Sequence, residues 1–344
     1  MSSKKFLKIF FLSIFIIFFI IGGINYTIDP FNIFSHKNSL NKLQKGFNER
    51  LQKSVFLFYN TSLDYNAVLL GSSRSTYYNQ NDYFKGKLYN FAFSGAQVQE
   101  YKKYLEFFNK INKKELDTII LGLDFYTYRM DKNIEAIKFP NETKLAFFIN
   151  NYFLLSTLKY SLINIKRSYF NETGHRSYNR DNIVETTKVS YEDSKEQAIK
   201  RSKKYYENFI IDNTYKKNLS ELKNTFNHSN FIIFIPPLSK PFLEEIYSDN
   251  KLFLIYMEWL KTLIDIFGEV YLFSNLDNKW SVNYEKYTMD GDHFYPEIGK
   301  EIFKQIITNK LDEGILLRKD NFKDFFLNIQ LLKGKLCIKK LVTY

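Results

Sequence analysis

Five short apolar runs constrain this chain more than any other feature: Ala67–Leu70, Leu88–Phe93, Thr118–Leu123, Phe231–Ile235 and Val270–Phe273, each four to six residues long. A strand with one wet face alternates apolar and polar residues, whereas a strand covered on both faces reads as a continuous apolar run. Polar stretches with helical spacing, such as Gln97 to Lys110, separate the runs and supply the cover. The rhythm predicts an α/β fold, a three-layer arrangement around a parallel sheet of about five strands. Ligands in such sheets sit at the carboxyl ends of the strands. Ser73, Gly95 and Asp124 each follow a run, so they are expected to converge on one edge of the sheet.

The N-terminus does not belong to this pattern. From Phe6 to Ile24 the chain is mostly Phe, Ile and Leu, with Lys4 and Lys5 in front. About 20 such residues cross a bilayer as a helix, and leading lysines favour an N-terminus on the cytoplasmic side. A cleaved signal peptide would want a shorter core and a small-x-small site, for which Ile21-Gly22-Gly23-Ile24-Asn25 is a poor match. Residues 1–27 therefore read as a transmembrane anchor, with the rest of the chain in an extracytoplasmic envelope location. Residues 28–64 read as a helical linker and 65–312 as the α/β domain. Within that domain the Asn-, Tyr- and Lys-rich stretch 131–207 breaks the rhythm and reads as an insertion capping the sheet edge. Residues 313–344 read as a helical, basic tail, with Lys333, Lys335, Lys339 and Lys340.

Other classes fall away. The lone Cys337 excludes an internal disulfide framework and any cysteine-based zinc site. His36, His175 and His228 lack carboxylate or cysteine neighbours at ligand spacing, so no metal and no cofactor are expected. The formal charge of +12 is spread as lysines among Asn, Tyr, Phe and Ile. It reads as a solvated surface; no nucleic-acid motif accompanies it, and a chain anchored outside the cytoplasm is expected to meet no nucleic acid.

Two motifs carry the chemistry. Ala67-Val68-Leu69-Leu70-Gly71-Ser72-Ser73-Arg74 runs a strand into a serine turn, and Asp290-Gly291-Asp292-His293 sets a carboxylate three residues ahead of a histidine. A serine, a base and an orienting carboxylate are the parts of a nucleophilic triad, which is defined by geometry rather than chain order. One short loop can supply both Asp290 and His293. Asp292 competes as orienter, but adjacent side chains diverge, which favours Asp290.

These residues resemble the SGNH/GDSL hydrolase superfamily, whose fold is a five-stranded, flavodoxin-like parallel sheet between helices. Gly71-Ser72-Ser73 is similar to its first block, where the third residue is the nucleophile; this selects Ser73 over Ser72. Tyr89-Asn90-Phe91-Ala92-Phe93-Ser94-Gly95-Ala96 is similar to the second block, which implies that Gly95 N–H joins Ser73 N–H in an oxyanion hole. Asp290–His293 with Phe294-Tyr295-Pro296 resembles the fifth. The resemblance is nearest to the membrane-anchored Gly-Ser-Ser branch, which includes D-alanine transfer proteins of lipoteichoic-acid synthesis and accessory proteins of polysaccharide O-acylation. One departure is Gly122-Leu123-Asp124-Phe125, where the family's third block has an asparagine that donates to the oxyanion. An ionised Asp124 would repel developing negative charge, and Arg74 is the residue expected to neutralise it.

The resemblance implies a membrane-anchored serine esterase or O-acyltransferase that acts on cell-surface polysaccharide through an acyl-Ser intermediate. Its partners would be the membrane, a surface glycan and, for transfer, a multispanning acyltransferase that delivers the acyl group. The competing expectation is a non-catalytic glycan-binding or scaffold protein with a degenerate fold.

Overall fold

The computed structural model describes residues 3–46, 48–60, 64–130 and 138–342, with side chains through residue 334. The chain forms two compact units, Met1–Leu63 with Ile137–Thr187, and Asp64–Ala136 with Lys188–Tyr344.

The second unit is a mixed α/β structure built on a six-stranded sheet. Its strands are β1 (Ala67–Gly71), β2 (Leu88–Asn90), β3 (Thr118–Gly122), β4 (Asn230–Ile235), β5 (Glu269–Leu272) and β6 (Ile315–Arg318), in the order β2-β1-β3-β4-β5-β6. The first five are parallel, with Ala67 level with Leu88 on one side and Thr118 on the other. β6 runs antiparallel to β5, pairing Ile315 with Leu272. The five expected runs are all strands, but the sheet has six. The sixth lies in the tail that reads as wholly helical, of which only Phe322–Val342 is helix. The run of the sixth strand has only three apolar residues, Ile315-Leu316-Leu317, fewer than any of the five, between Asp312-Glu313 and Arg318-Lys319.

Both faces of the sheet are covered. Ala67, Leu69, Ile120 and Phe234 pack with Ile298, Ile302, Phe303 and Ile306 of helix Pro296–Thr308. That helix starts where Pro296 fixes the first turn, and it stops at Asn309 in the left-handed region. Below β2, Tyr89 meets Phe108 and Phe91 meets Tyr104 of helix Val98–Ile111. Glu100 caps that helix by accepting from the Gln97 N–H at 2.9 Å. Each fully buried Leu or Val contributes about 1.5–3 kcal/mol, which explains strands with no polar face. The order reverses between β2-β1 and β3, and at such a point the carboxyl ends open a crevice.

The first unit holds helix Ser3–Ile28, the one described helix long and apolar enough to cross a membrane or to serve as a signal sequence. Helices Glu49–Tyr59, Lys144–Tyr152 and Leu155–Phe170 and a small antiparallel sheet (Gln44–Lys45, Ser177–Tyr178, Val184–Glu185) complete it. Its core contains Phe31, Ile33, Val55, Tyr59, Phe147 and Tyr152. A buried pair joins Asp29 to Arg180 at 2.8 Å, and the same carboxylate accepts from Tyr152 Oη at 2.5 Å. The stretch that reads as a helical linker is helical only over Glu49–Tyr59; residues 29–43 turn instead, with Asp29, Asn32 and Ser35 at positive φ. The stretch that reads as a single insertion is divided: residues 138–187 lie in the first unit and residues 188–207 in the second, while 131–137 fall outside the described residues.

Candidate active site

The site gathers where β1, β2 and β3 end. Ser72 and Ser73 follow β1 directly. The ladder beyond β2 continues through Phe91 N–H to Leu69 O (2.8 Å) and Phe93 N–H to Gly71 O (3.1 Å), and Gly95 follows in a turn at φ +63°. Asp124 follows β3. The sheet thus draws together the three strand ends named by the sequence.

The two serines have different partners. Ser72 is buried, and its hydroxyl donates to Asp124. Ser73 is partly exposed, and its Oγ lies 2.8 Å from His293 Nε2. The other ring nitrogen, Nδ1, lies 2.8 Å from Asp290 Oδ2, and Asp290 Oδ1 accepts from the His293 N–H at 3.0 Å. A serine and a histidine 220 positions apart in sequence therefore join Asp290 in one continuous chain of hydrogen-bonding groups.

Asp292 behaves differently from expectation. Its side chain does not diverge; Oδ1 lies 3.3 Å from the same His293 Nδ1. Gly291 is the cause. Its φ of +92° turns the chain back on itself, and a Cβ there would come within 2.6 Å of Ala198 Cβ. That left-handed turn lets both carboxylates reach one nitrogen.

Two guanidiniums hold this acidic pair. Arg201, on helix Tyr191–Tyr205, contacts Asp290 Oδ2 at 2.6 Å and Asp292 Oδ1 at 2.7 Å. Arg74 is buried; it donates to Asp124 Oδ1 at 2.9 Å and to Tyr205 Oη at 3.1 Å, and it lies 3.6 Å from Asp292 Oδ2. Burial works against its charge, but Tyr205, Asp124 and Asp292 more than offset that and hold it protonated. The Asp124 carboxylate is thus engaged from both sides, by Arg74 and Ser72, so its charge is neutralised within the protein.

Asp290, Asp292 and His293 are also the one group of potential metal donors among the described residues, with ligand atoms within 4.8 Å of each other. Arg201 already bridges both carboxylates, so a cation would have to displace it. None of His36, His175 or His228 belongs to this group.

The sequence did not single out Arg201 or Tyr205. Their helix, Tyr191–Tyr205, falls in the stretch 131–207 that reads only as an insertion capping the sheet edge. The signal that could have found it is the small-residue stripe Ser194, Ala198, Ser202, which is buried and lets the helix approach Gly291. Beside the helix runs an open groove of about 470 Å³, lined by Tyr126, Arg129 and Tyr205 and by Gln197, Lys200, Arg201 and Lys204. A larger groove of about 830 Å³ touches none of the Ser73, Asp290 or His293 side chains.

The charges set the state of His293. Burial alone disfavours the imidazolium, but Asp292 and then Asp290 outweigh it and raise its pKa to about 9. The stability that this charged form contributes is fully present below about 6.5, the ordinary histidine value, and is lost as pH rises through about 9. An NMR titration of the His293 ring is expected to show a midpoint near 9. Asp292→Asn, which removes a negative neighbour, should move it down. Arg201→Met, which removes a positive one, should move it up. A midpoint unmoved by both substitutions would show that the clamp does not act on the ring.

No family model matches this chain, and no curated protein matches it. A solved structure from Streptococcus pneumonia, described as a candidate platelet activating factor, is similar over 76% of this chain and 91% of that one, with 11% identity and a TM-score of 0.38.

Proposed function

We propose that this chain is a membrane-anchored extracytoplasmic serine esterase or O-acyltransferase of the SGNH type, acting on cell-surface polysaccharide. The observation that carries this reading is the relay from Ser73 Oγ through His293 to Asp290, with both contacts at 2.8 Å. In its neutral form His293 takes the proton from Ser73 as Oγ attacks an ester carbonyl. The Ser73 and Gly95 N–H groups receive the oxyanion. As the tetrahedral intermediate collapses, the C–O bond to the alcohol breaks, and His293 returns the proton to that alcohol. An acyl-Ser remains. Water or a sugar hydroxyl, deprotonated by His293, then takes the acyl group and regenerates Ser73.

Retention of the anchor is supported by its packing. Asn25 in helix Ser3–Ile28 is buried, donates to Tyr152 O at 2.6 Å and accepts from Ser161 Oγ at 2.7 Å. Removal of a signal peptide would strip away Phe18, on which Phe153 stacks at 4.2 Å. A retained anchor keeps the chain at a membrane surface, where lipid-linked or nascent glycans are available. The cationic groove beside Arg201 suits an acceptor carrying acidic groups. Transfer would need an acyl donor from across the membrane, supplied by a multispanning acyltransferase partner; hydrolysis would need none.

In cells, Ser73→Ala is expected to change O-acylation of the surface glycan while leaving the amount of glycan unchanged. Lower acylation indicates transfer and higher acylation indicates removal. If Ser73→Ala matches the parent strain while deletion of the gene does not, the chain is a non-catalytic scaffold.

A further inference from the structure

Helix Leu155–Phe170 in the first unit is built inside out. Its buried positions are Thr157, Ser161, Asn164 and Ser168, all polar. Of its apolar residues, Leu155, Leu162, Tyr169 and Phe170 are 53–75% exposed, and Leu158, Ile163 and Ile165 are half-buried. In the preceding helix, Lys144–Tyr152, Leu145 and Ile149 are exposed at 67% and 54%, and Leu154 in the connection at 46%. Soluble proteins bury such residues and expose the polar ones. Small and hydroxyl residues at the helix contact, with leucines facing outward, are the arrangement of helices whose solvent is lipid.

The connection between the two helices is fixed against the anchor. Phe153 stacks on Phe18 with ring centroids 4.2 Å apart and also contacts Phe19 at 6.3 Å. Gly22 makes room for it; a Cβ at that position would lie 2.3 Å from Phe153 Cε1. Phe18 is six residues inside the outer end of the apolar run at Ile24, which at 1.5 Å per residue is about 9 Å along the helix. Above this level Tyr26, Phe34 and Phe148 gather, with centroids 5.0–6.0 Å apart. Such a collar of aromatic rings is typical of the membrane–water interface. Exposed Lys159 and Lys166 share the outer face of helix Leu155–Phe170, where long lysine side chains can reach the headgroups.

From this geometry we infer that the Lys144–Phe170 helical hairpin is embedded in the outer leaflet, its Phe153–Leu154 turn inside the hydrocarbon and its exposed leucines against lipid. The occupant of the apolar face is the bilayer, because the turn touches the spanning helix at a depth that only acyl chains can surround. The chain thus holds the membrane through a monotopic platform as well as a spanning helix. This inference rests on the reading that the anchor is retained.

The test uses the full chain in lipid nanodiscs with Cys337→Ser, carrying single cysteines labelled with an environment-sensitive fluorophore. Leu154→Cys and Leu162→Cys report the hairpin, Ile14→Cys reports the anchor, and exposed Lys113→Cys is the aqueous control. Labels at 154 and 162 are expected to be quenched by doxyl-labelled lipid and to be at least threefold less accessible to iodide than the label at 113. Quenching at 14 without quenching at 154 and 162 overturns the platform and leaves the anchor standing. Absence of lipid quenching at 14 overturns the anchor itself. Labels at 154 and 162 shielded from both quenchers show a protein contact, a second copy included, in place of lipid, and also overturn the inference. The two hairpin sites lie on separate turns, so misfolding of one variant leaves the other to decide.

Discussion

Ser73→Ala is expected to abolish covalent labelling by a fluorophosphonate probe and to lower hydrolysis of an activated ester by a factor on the order of 10⁴ or more. The expectation follows from the relay: Oγ is the atom of that side chain within reach of His293 Nε2, and the methyl group left behind can neither attack nor donate. Removing His293 instead should cost a similar factor, because members of one relay act as a unit and their losses do not add. The double variant should therefore be no slower than either single one. Ser72→Ala separates the neighbouring hydroxyls: it frees one oxygen of Asp124 but leaves the His293 contact intact, so labelling should persist. A Ser73→Ala protein that still hydrolyses the ester within tenfold of the parent would remove Ser73 from the chemistry. The rate of labelling should also climb with pH towards about 9, as His293 loses its proton and becomes a base.

The second large effect is structural. Arg74→Met is expected to destabilise the second unit by about 3–5 kcal/mol, the usual cost of leaving a buried charge without its partner. Two carboxylates depend on this guanidinium, Asp124 at 2.9 Å and Asp292 at 3.6 Å, and both are almost fully buried. Urea unfolding in micelles, followed by tryptophan fluorescence, reads this unit directly because both tryptophans, Trp259 and Trp280, lie within it. The double variant Arg74→Met with Asp124→Leu should recover part of the loss, since a matched apolar pair removes the unpaired charge. A single variant as stable as the parent would show that the pair carries no net weight.

Ser73, Asp290 and His293 could be read from sequence because each sits in a local pattern: a strand that ends in a serine turn, and a carboxylate one turn ahead of a histidine. Arg201 could not. Helix Tyr191–Tyr205 carries Lys195, Lys200, Lys203 and Lys204 as well, and nothing local tells which cation turns towards a loop almost ninety residues later. Asp292 was obscured for a different reason. The rule that adjacent side chains diverge holds for extended and helical backbone, and it fails at Gly291, where φ is positive. The five parallel strands announced themselves through burial on both faces. β6 is partly exposed with only three apolar residues, so its existence depends on an edge that only the folded sheet provides. The outward face of helix Leu155–Phe170 could not be read locally, because which of its faces is covered is decided by helix Ser3–Ile28, against which it packs.

The buried amide of Asn25 and the carboxylate of Asp29 also bear on how the protein is made. Their partners arrive much later along the chain: Tyr152 follows Asn25 by 127 positions, and Arg180 follows Asp29 by 151. At a synthesis rate of about 5–20 residues per second, these separations are a wait of roughly 6–30 seconds. Throughout it, the end of helix Ser3–Ile28 and the turn after it lack these distant partners, and Asp29 has only local ones such as the Ile33 and Phe34 N–H groups, while the strands β1 to β3 are translated between the two halves of its unit. Such distant closures are slow because the chain must order a long loop before any contact rewards it. The part of this protein that is synthesised first is therefore among the last to be completed.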